Sequence, residues 1–343
     1  MTRYAFLDDY SEGCHPEILE ALAEGNLDQH VAYGADQPTA RARELIATAC
    51  GRDVAVHLVA GGTLANLIVC AAVLRPHEAV VAAASGHVVH REAGAIEATG
   101  HKVLTVDSND GRLTPDAIRS VVQANGQAPH MAKPRLVYIS DATELGTVYS
   151  LAEMTALRSV CDELDLLLMV DGARLGVALA SERSAGLGLG ELASLADVFW
   201  IGGTKAGTLF GEAIVVPDAS LAADFAFHLK QRGALLAKGR TLGVQFATLF
   251  SDDLFGRAAV HANRCAQTLG TGLKDAGHSL QAEVESNQVF VSLPDALIAE
   301  LQATFAFYVW NDNGDGSSVV RLVTSWATDP GQVERFVLAC QGS

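Results

Sequence analysis

A glycine-rich turn follows an apolar run near residue 60. The segment Gly61-Gly62-Thr63 comes directly after Val54–Val59 and opens an apolar stretch that extends to Leu74. Backbone N–H groups at a helix start have no partner within the helix, and the helix dipole favours negative charge there. The turn therefore predicts either an anion site or a tight strand–helix connection in which Thr63 is the N-cap residue.

A carboxylate ends the most uniformly apolar run of the chain. Asp171 follows Leu166–Val170 and precedes Gly172-Ala173-Arg174. An acidic group at the end of a strand buried on both faces is costly unless it is paired. A protonated ring nitrogen of a ligand would be a suitable partner. An ion pair with Arg174 or a helix cap would satisfy Asp171 equally well.

An amine occupies the same kind of position 34 residues after Asp171. Lys205 follows the apolar run Val198–Ile201 and stands between glycines, in Gly202-Gly203-Thr204-Lys205-Ala206-Gly207. A lysine desolvated at a strand end can form an imine with a carbonyl compound, whereas a solvated loop lysine would have no such role. Ligands bind beyond the carboxyl ends of the strands in an open parallel sheet, so the three segments can meet there.

Two other glycine patterns do not fit nucleotide binding. The segment Gly186-Leu187-Gly188-Leu189-Gly190 follows no predicted strand and lacks the third glycine of a dinucleotide-binding loop. The segment around Lys205 lacks the glycine spacing of an ATP-binding P-loop.

The elements that must position these residues alternate between short apolar strands and amphipathic helices, which is the pattern of an α/β fold. Helices are predicted from Thr63 to Leu74 and along the apolar stripe from Leu151 to Leu164. A large domain is expected over residues 1–250 and a smaller C-terminal α+β sub-domain over residues 251–343. The predicted strands are Val54–Val59, Val80-Val81, Val103–Val106, Leu136–Ser140, Leu166–Val170, Val198–Ile201, Ala213–Val216, Val289–Leu293, Phe305–Val309 and Val319–Val323.

Composition narrows the class of protein. The chain has 343 residues and a formal net charge of −16, which argues against a nucleic acid or an anionic membrane as its partner. It contains no apolar stretch of the roughly 20 residues that a membrane helix needs, and its start does not resemble a secretory signal. Six scattered cysteines form no CxxC pair, so free thiols, no metal site and a cytoplasmic location are expected.

The chain order of three features resembles that of fold-type I enzymes, which use pyridoxal 5′-phosphate (PLP). These features are the possible anion-binding turn, the aspartate at a strand end and the lysine at a later strand end. The sequence is similar to the threonine aldolase/β-eliminating lyase family, nearest its phenylserine aldolase branch, from Asp8-Asp9 to Ala327-Thr328. The motifs that carry the resemblance are Tyr33-Gly34-Ala35-Asp36, Gly61-Gly62-Thr63-Leu64-Ala65-Asn66, Gly86-His87 with Glu92, Ala142-Thr143-Glu144-Leu145-Gly146, Asp171-Gly172-Ala173-Arg174, Gly202-Gly203-Thr204-Lys205 and Val320-Arg321-Leu322-Val323-Thr324-Ser325.

The resemblance implies a mostly parallel central sheet between helices and a set of cofactor contacts. Lys205 would hold PLP as a Schiff base, Asp171 would keep the pyridine nitrogen protonated, and His87 would stack on the ring. A lone histidine is otherwise more often structural. The full cofactor-binding set that the resemblance implies is Gly61, Gly62, Thr63, His87, Asp171, Arg174, Thr204, Lys205 and Arg240.

The resemblance also implies substrate contacts. Arg174 and Arg321 match the arginines near the substrate carboxylate, a role that suits the guanidinium fork. The alternative for Arg321, which lies in an apolar strand, is a partly buried ion pair. Arg240 matches an arginine that reaches the phosphate from a neighbouring subunit, and Tyr33 is expected to cross the same interface. Residues 1–30 are expected to pack near the small domain and the active site.

Two positions depart from the pattern of the family. The family often has a serine near the substrate carboxylate where this chain has Asp8, so Asp8 is our candidate for a substrate-binding residue at that position. Many members also carry a histidine that contacts the substrate hydroxyl, where this chain has Ala142-Thr143-Glu144. Glu144 is therefore our candidate for accepting the β-hydroxyl proton, since burial can raise the pKa of a carboxyl group. The alternative for Glu144 is a loop or capping carboxylate.

The activity that the resemblance implies is retro-aldol cleavage of L-β-hydroxy-α-amino acids to glycine and an aldehyde. The substrate would be of the threonine, allo-threonine or phenylserine type, and the enzyme a homodimer or homotetramer with the active site at the subunit interface. The alternatives are β-elimination, transamination or racemisation on the same fold, or a PLP-binding protein without catalytic activity.

Overall fold

The computed structural model describes residues 3–341. Its strands are β1 (Tyr4–Ala5), β2 (Ala55–Val59), β3 (Glu78–Ala83), β4 (Lys102–Val106), β5 (Lys133–Ser140), β6 (Leu167–Gly172), β7 (Val198–Gly202), β8 (Glu212–Val216), β9 (Ser279–Leu280), β10 (Gln288–Pro294), β11 (Phe305–Ala306), β12 (Tyr308–Asp312) and β13 (Ser317–Val323). Its helices are α1 (Pro16–Glu24), α2 (Gln37–Cys50), α3 (Gly62–Val73), α4 (His87–His90), α5 (Pro115–Ala124), α6 (Leu151–Glu163), α7 (Leu175–Leu179), α8 (Leu189–Leu195), α9 (Ala219–Ala222), α10 (Phe225–Gln231), α11 (Arg240–Leu249), α12 (Leu254–Asp275), α13 (Asp295–Leu301) and α14 (Pro330–Cys340), with 3-10 turns at Glu97–Thr99 and Glu182–Ser184.

Seven strands form the central sheet, in the order β2-β8-β7-β6-β5-β3-β4. Five strands of this sheet, β7, β6, β5, β3 and β4, pair in parallel with one another in that order. Strand β8 runs antiparallel to both of its neighbours, β7 and β2. The strands β3, β6, β7 and β8 are buried along their whole length, because helices cover both faces of the sheet. The sequence prediction of a mostly parallel α/β sheet is confirmed.

The pairing register brings the ends of several strands to one edge of the sheet. Ser140 at the end of β5 lies opposite Asp171 in β6, which lies opposite Trp200 in β7. Because β8 runs the other way, its first residue, Glu212, lies opposite both Gly202 and the end of β2. Chemistry-bearing residues from four strands therefore meet at this edge.

Local sequence signals explain where the helices begin. Helix α6 starts with a capping box in which Ser150 and Glu153 exchange hydrogen bonds with each other's backbone. Asp36 is the N-cap residue of helix α2, and its carboxylate accepts from the Thr39 amide at 2.7 Å. Helix α3 differs, because its N-cap residue Gly61 provides no side-chain cap.

The C-terminal part contains a second, antiparallel sheet of four strands in the order β12-β13-β10-β9, together with a two-stranded ladder of β1 and β11. The single strand predicted over Phe305–Val309 is wrong. Phe307 is buried and packs edge-on against Phe336. The chain therefore leaves β11 at this residue and enters β12, which pairs with a different partner.

Helix α12 contacts α7 beside the central sheet and α14 beside the second sheet. A domain boundary near residue 250 stays a prediction, because α12 packs beside both the central sheet and the second sheet.

The N-terminal elements contact both parts of the chain. Strand β1 pairs with β11, and α1 packs against α11. Within residues 3–341, no helix combines the length and the hydropathy that a membrane span requires.

Candidate active site

A cavity of about 850 Å³ opens at the strand-end edge of the central sheet. Walls come from the turn before α3, the region around α4, the ends of β5, β6 and β7, the N-terminal segment and strand β12. The predicted site residues that line the cavity are Asp8, Gly61, Gly62, Thr63, His87, Glu144, Asp171, Arg174, Thr204, Lys205 and Arg321.

The turn before α3 lines this cavity. Gly61 is the N-cap residue, so the alternative prediction of Thr63 as N-cap is wrong. Gly62 packs against an aromatic ring, since a Cβ atom at this position would lie 2.8 Å from Cη2 of Trp200. A side chain at residue 62 would have to displace that ring. The uncapped helix start is suited to binding an anion such as phosphate.

The Asp171 carboxylate is nearly fully buried and strongly held. Oδ2 accepts from the Tyr138 hydroxyl at 2.5 Å and from Nδ2 of Asn66 at 2.9 Å, and Oδ1 accepts from the Ala173 amide at 3.0 Å. Burial, followed by the charge of Asp171, raises the pKa of Tyr138 well above its usual value, so the hydroxyl remains a donor. The alternative ion pair with Arg174 is not formed, because Arg174 bonds elsewhere.

A hydrogen-bond chain connects Asp171 to His87. Asn66 donates to Glu92 Oε1 at 2.8 Å as well as to Asp171, and its own oxygen accepts from Nε1 of Trp200 at 2.9 Å. His87 Nδ1 lies 2.8 Å from the same Glu92 oxygen. With the proton on Nδ1, the imidazole donates to Glu92 and is fixed in orientation. Asn66 and Glu92 belong to the quoted motifs, but the sequence did not assign them these roles.

Lys205 lies in the turn after β7 and lines the cavity. Its Nζ is 5.8 Å from the centre of the Tyr10 ring. Burial, followed by the positive charge of Arg174, lowers the pKa of Lys205, while carboxylates such as Asp9 and Asp171 act in the opposite direction. A lowered pKa increases the neutral fraction of the amine, which is the form that attacks a carbonyl carbon.

Arg174 is held by Asp9 rather than by Asp171. Asp9 accepts from Nε of Arg174 at 2.7 Å and from Nη2 at 3.0 Å, and it also accepts from Asn287 at 2.9 Å. The pair is almost fully buried. Sequence reasoning selected Asp8 from the pair Asp8-Asp9 and missed this contact, because Arg174 is 165 residues away.

Arg321 also lines the cavity, beside the same N-terminal segment. Its guanidinium is 3.6 Å from the Asp8 carboxylate and donates to the Leu7 carbonyl at 3.3 Å. The rings of Tyr308 and Trp310 lie 5.1 and 5.0 Å from its central carbon, within the range of cation–π contacts. Arg321 thus forms the partly buried ion pair given as its alternative, and it also lines the cavity. Its buried Nε has no partner in the described structure.

Glu144 contacts the first residue of α4, His87. Its Oε1 accepts from the His87 amide at 2.9 Å and from the Ser140 hydroxyl at 2.7 Å. Burial raises the pKa of Glu144, and the Ser140 hydrogen bond opposes this rise. Glu144 therefore caps the start of α4 and borders the cavity at the same time.

Glu212, which sequence reasoning missed, borders the cavity beneath the Lys205 turn. Its carboxylate accepts from the Gly203 amide at 2.9 Å and from the Thr204 hydroxyl at 2.8 Å. The available signal was a single charged residue at the start of an otherwise apolar strand.

Arg240 and Tyr33 lie outside the cavity of their own chain. Arg240 donates to the carbonyls of Gly25 at 2.6 Å and Asn26 at 3.1 Å, and the Tyr33 ring contacts the Lys230 ammonium. Both were expected to act across a subunit interface, so their roles stay predictions.

The chain is similar over most of its length to known proteins. The sequence profile described as Beta-eliminating lyase matches residues 6–300. The low specificity L-threonine aldolase of Pseudomonas aeruginosa is 39% identical over 326 residues, which cover 94% of this chain and 92% of that protein. The protein of the same description from a Pseudomonas species is 37% identical and covers 96% of this chain and 94% of its own.

Solved structures give the same result. A structure of Leishmania major threonine aldolase superposes with a TM-score of 0.97 and 44% identity, over 98% of both chains. The aspartate aminotransferase of Thermus thermophilus superposes with a TM-score of 0.72 at 17% identity, over 99% of this chain and 91% of its own. The second likeness bears on the fold alone, which is that of fold-type I PLP enzymes.

The donors in the cavity fit PLP. An uncapped helix start suits the phosphate, a buried carboxylate suits a protonated ring nitrogen, and a lysine amine with a lowered pKa suits the aldehyde. Ser85 Oγ, which is buried without a partner in the described structure, adds a polar group to the same wall. The chain belongs to the threonine aldolase/β-eliminating lyase family and is a lyase with PLP as its cofactor.

Proposed function

We propose that this enzyme cleaves L-β-hydroxy-α-amino acids between Cα and Cβ, releasing glycine and an aldehyde. The observation that carries the proposal is the juxtaposition of Lys205, Asp171 and two arginines around one cavity. The descriptions of the Pseudomonas and Leishmania relatives as threonine aldolases support it. Threonine, allo-threonine and phenylserine are the proposed substrates.

Bound PLP supplies an electron sink for the electron pair of the broken bond. Lys205 would hold the cofactor through its amine. Asp171 would accept from the protonated ring nitrogen, and Tyr138 and Asn66 fix its carboxylate. His87 would stack on the ring, in an orientation that its contact with Glu92 sets.

The turn before α3 and the arginines receive the negative groups of cofactor and substrate. Gly61, Gly62, Thr63 and Thr204 are the proposed phosphate contacts. Arg321 is the proposed partner of the substrate carboxylate, because the residue lines the cavity and carries a guanidinium group. These contacts would orient the substrate relative to the bound cofactor.

Glu144 is the proposed acceptor of the β-hydroxyl proton. Its raised pKa brings the carboxylate closer to the range in which a general base is effective. One of its oxygens is already held by Ser140 and the His87 amide. The role therefore falls to the other oxygen, Oε2.

We further propose a homodimer or homotetramer in the cytoplasm, with Tyr33 and Arg240 serving the site of a neighbouring subunit. The positions of Tyr33 and Arg240 outside the cavity of their own chain support this arrangement.

Residues 1–250 and 251–343 are the proposed domains. The contacts of Asp8 and Asp9 with cavity arginines support the proposed role of the N-terminal segment.

A substrate panel tests the proposal. Purified enzyme with PLP is incubated separately with L-threonine, L-allo-threonine and L-phenylserine, and glycine, aldehyde, ammonia and keto acid are quantified. We expect glycine and aldehyde in equal amounts. Ammonia with a keto acid would indicate β-elimination instead, and no glycine from any of the three would refute the aldolase assignment.

A further inference from the structure

Glu212 lies between the turn Gly61-Gly62-Thr63, which is the proposed phosphate site, and the turn after β7 that carries Lys205. It is the first residue of β8 and pairs with Val59 at the end of β2 and with Gly202 at the end of β7. Only 4% of the residue is exposed, yet it borders the cavity. A carboxyl group in this position requires an explanation, because the cavity also receives the phosphate of the cofactor.

The hydrogen bonds of Glu212 control the Thr204 hydroxyl. Glu212 Oε1 lies 2.8 Å from Thr204 Oγ1, and that oxygen also accepts from the Gly211 amide at 3.0 Å. An ionised carboxylate can only accept, so the Thr204 proton must point towards Glu212. In this state the Thr204 hydroxyl has no proton to donate to an anion in the cavity.

Protonation of Glu212 reverses this hydrogen bond. The carboxyl O–H can then donate to Thr204 Oγ1, whose second lone pair still accepts from the Gly211 amide. The proton of Thr204 becomes free to point into the cavity. Loss of the carboxylate charge also removes a repulsion of an incoming phosphate.

The charged groups facing Glu212 are Lys205 and Asp171. Burial raises the pKa of Glu212 to about 7, although the hydrogen bonds from Thr204 and Gly203 and the charge of Lys205 act in the opposite direction. Both protonation states are thus accessible near neutral pH.

We propose that Glu212 takes up a proton when the phosphate of the cofactor enters the cavity, and that this proton turns Thr204 into a hydrogen-bond donor to the phosphate. Glu212 is then a positioning residue that acts through Thr204. The inference rests on the proposed phosphate site at Gly61-Gly62-Thr63.

Calorimetry with pyridoxine 5′-phosphate tests the inference, because this compound has no aldehyde and cannot react with Lys205. Binding heats are measured at about pH 8 in buffers of different ionisation enthalpy, which gives the number of protons taken up per ligand bound. We expect wild type to take up more protons than Glu212→Gln, by a difference of up to about one. Equal uptake by the two proteins would overturn the inference.

Asp141→Asn is the matched control. Asp141 is also a buried carboxyl group, with its pKa raised by burial to about 8, but it bonds to the Tyr149 amide at 3.2 Å and does not border the cavity. We expect this variant to take up as many protons as wild type. A loss of proton uptake equal to that of Glu212→Gln would mean that the effect is not specific to Glu212. It would refute the proposal that Glu212 acts through Thr204.

Thr204→Val provides an independent test if Glu212→Gln does not fold. The substitution should weaken binding of pyridoxine 5′-phosphate roughly tenfold at about pH 6, where Thr204 can donate, and about twofold or less at about pH 9. The same loss of affinity at both pH values would contradict the proposal that Glu212 controls the Thr204 hydroxyl.

The binding assay requires no amino-acid cleavage, so its outcome is independent of the proposed function. An enzyme that shows the proton uptake but no aldolase activity would refute only the proposed function.

Discussion

Asp9 and Arg174 form a bidentate ion pair that joins the N-terminal segment to the end of β6. The two hydrogen bonds measure 2.7 and 3.0 Å, and the side chains are 1% and 11% exposed. Asn287 donates to the same carboxylate at 2.9 Å. This pair commits Nε and Nη2 of Arg174 to the protein, so the guanidinium is fixed at the cavity wall before any substrate binds.

Asp9→Asn should destabilise the fold and impair substrate binding. The substitution leaves Arg174 buried without its counter-charge, which typically costs about 3–5 kcal/mol. Urea unfolding measures the loss of stability, and KM measures the effect on the site. Glu163→Gln is the control, because it breaks the exposed pair with Arg119 and should leave both quantities unchanged. A loss no larger for Asp9→Asn than for this control would contradict the structural role of the pair.

The same pair should make stability depend on acid pH. Although burial alone would raise it, the charge of Arg174, then that of Lys205, lowers the pKa of Asp9 below its usual value. A carboxyl group whose pKa is lower in the folded state stabilises the protein above its unfolded pKa of about 3.9, and this contribution is lost as the pH falls through the folded pKa. We expect the free energy of unfolding of wild type to fall below about pH 4, with a shallower decline in Asp9→Asn. Parallel declines would rule out Asp9 as a source.

Asp8→Asn should lower KM for the amino-acid substrate. Asp8 lies 3.6 Å from Arg321, so under the proposed role of Arg321 its charge would compete with the substrate carboxylate for this guanidinium. Removing the charge but keeping the shape should lower KM roughly fivefold with little change in kcat, equivalent to about 1 kcal/mol. Tyr308→Phe removes the hydroxyl that lies 3.5 Å from Asp8 without changing any charge, and serves as the control. An unchanged or higher KM in Asp8→Asn would contradict competition.

Glu144→Gln tests the proposed proton acceptor. Loss of a general base should lower kcat roughly a hundredfold, while a residue that only caps α4 would leave kcat nearly intact. The acid limb of the kcat profile should report the raised pKa of Glu144. Since the Ser140 hydrogen bond lowers that pKa, Ser140→Ala should move the limb to higher pH. A Glu144→Gln enzyme that retains kcat within about twofold would exclude Glu144 as the base.

Much of the central sheet could be predicted, because strands that are buried on both faces consist of consecutive apolar residues. The predicted run Leu166–Val170 corresponds to β6, and Val198–Ile201 corresponds to β7. Residues that follow such runs, such as Lys205, could be assigned to one edge of the sheet for the same reason.

Other features depend on tertiary contacts that have no local signal. Tyr138 belongs to a correctly predicted strand, but only the register of β5 with β6 directs its hydroxyl to Asp171. The break at Phe307 depends on packing against Phe336, which no apolar pattern indicates. Glu212 was missed because β8 is antiparallel, so its first residue rather than its last lies at the cavity edge.

The covalent attachment of the cofactor at Lys205 is the central claim, and a single labelling experiment tests it. Wild-type holoenzyme and Lys205→Ala are reduced with borohydride, digested and analysed by mass spectrometry. We expect the phosphopyridoxyl group on the wild-type peptide that contains Lys205, and no labelled peptide from Lys205→Ala. A label on another lysine of the wild type, or a borohydride-sensitive chromophore that persists in Lys205→Ala, would contradict the assignment.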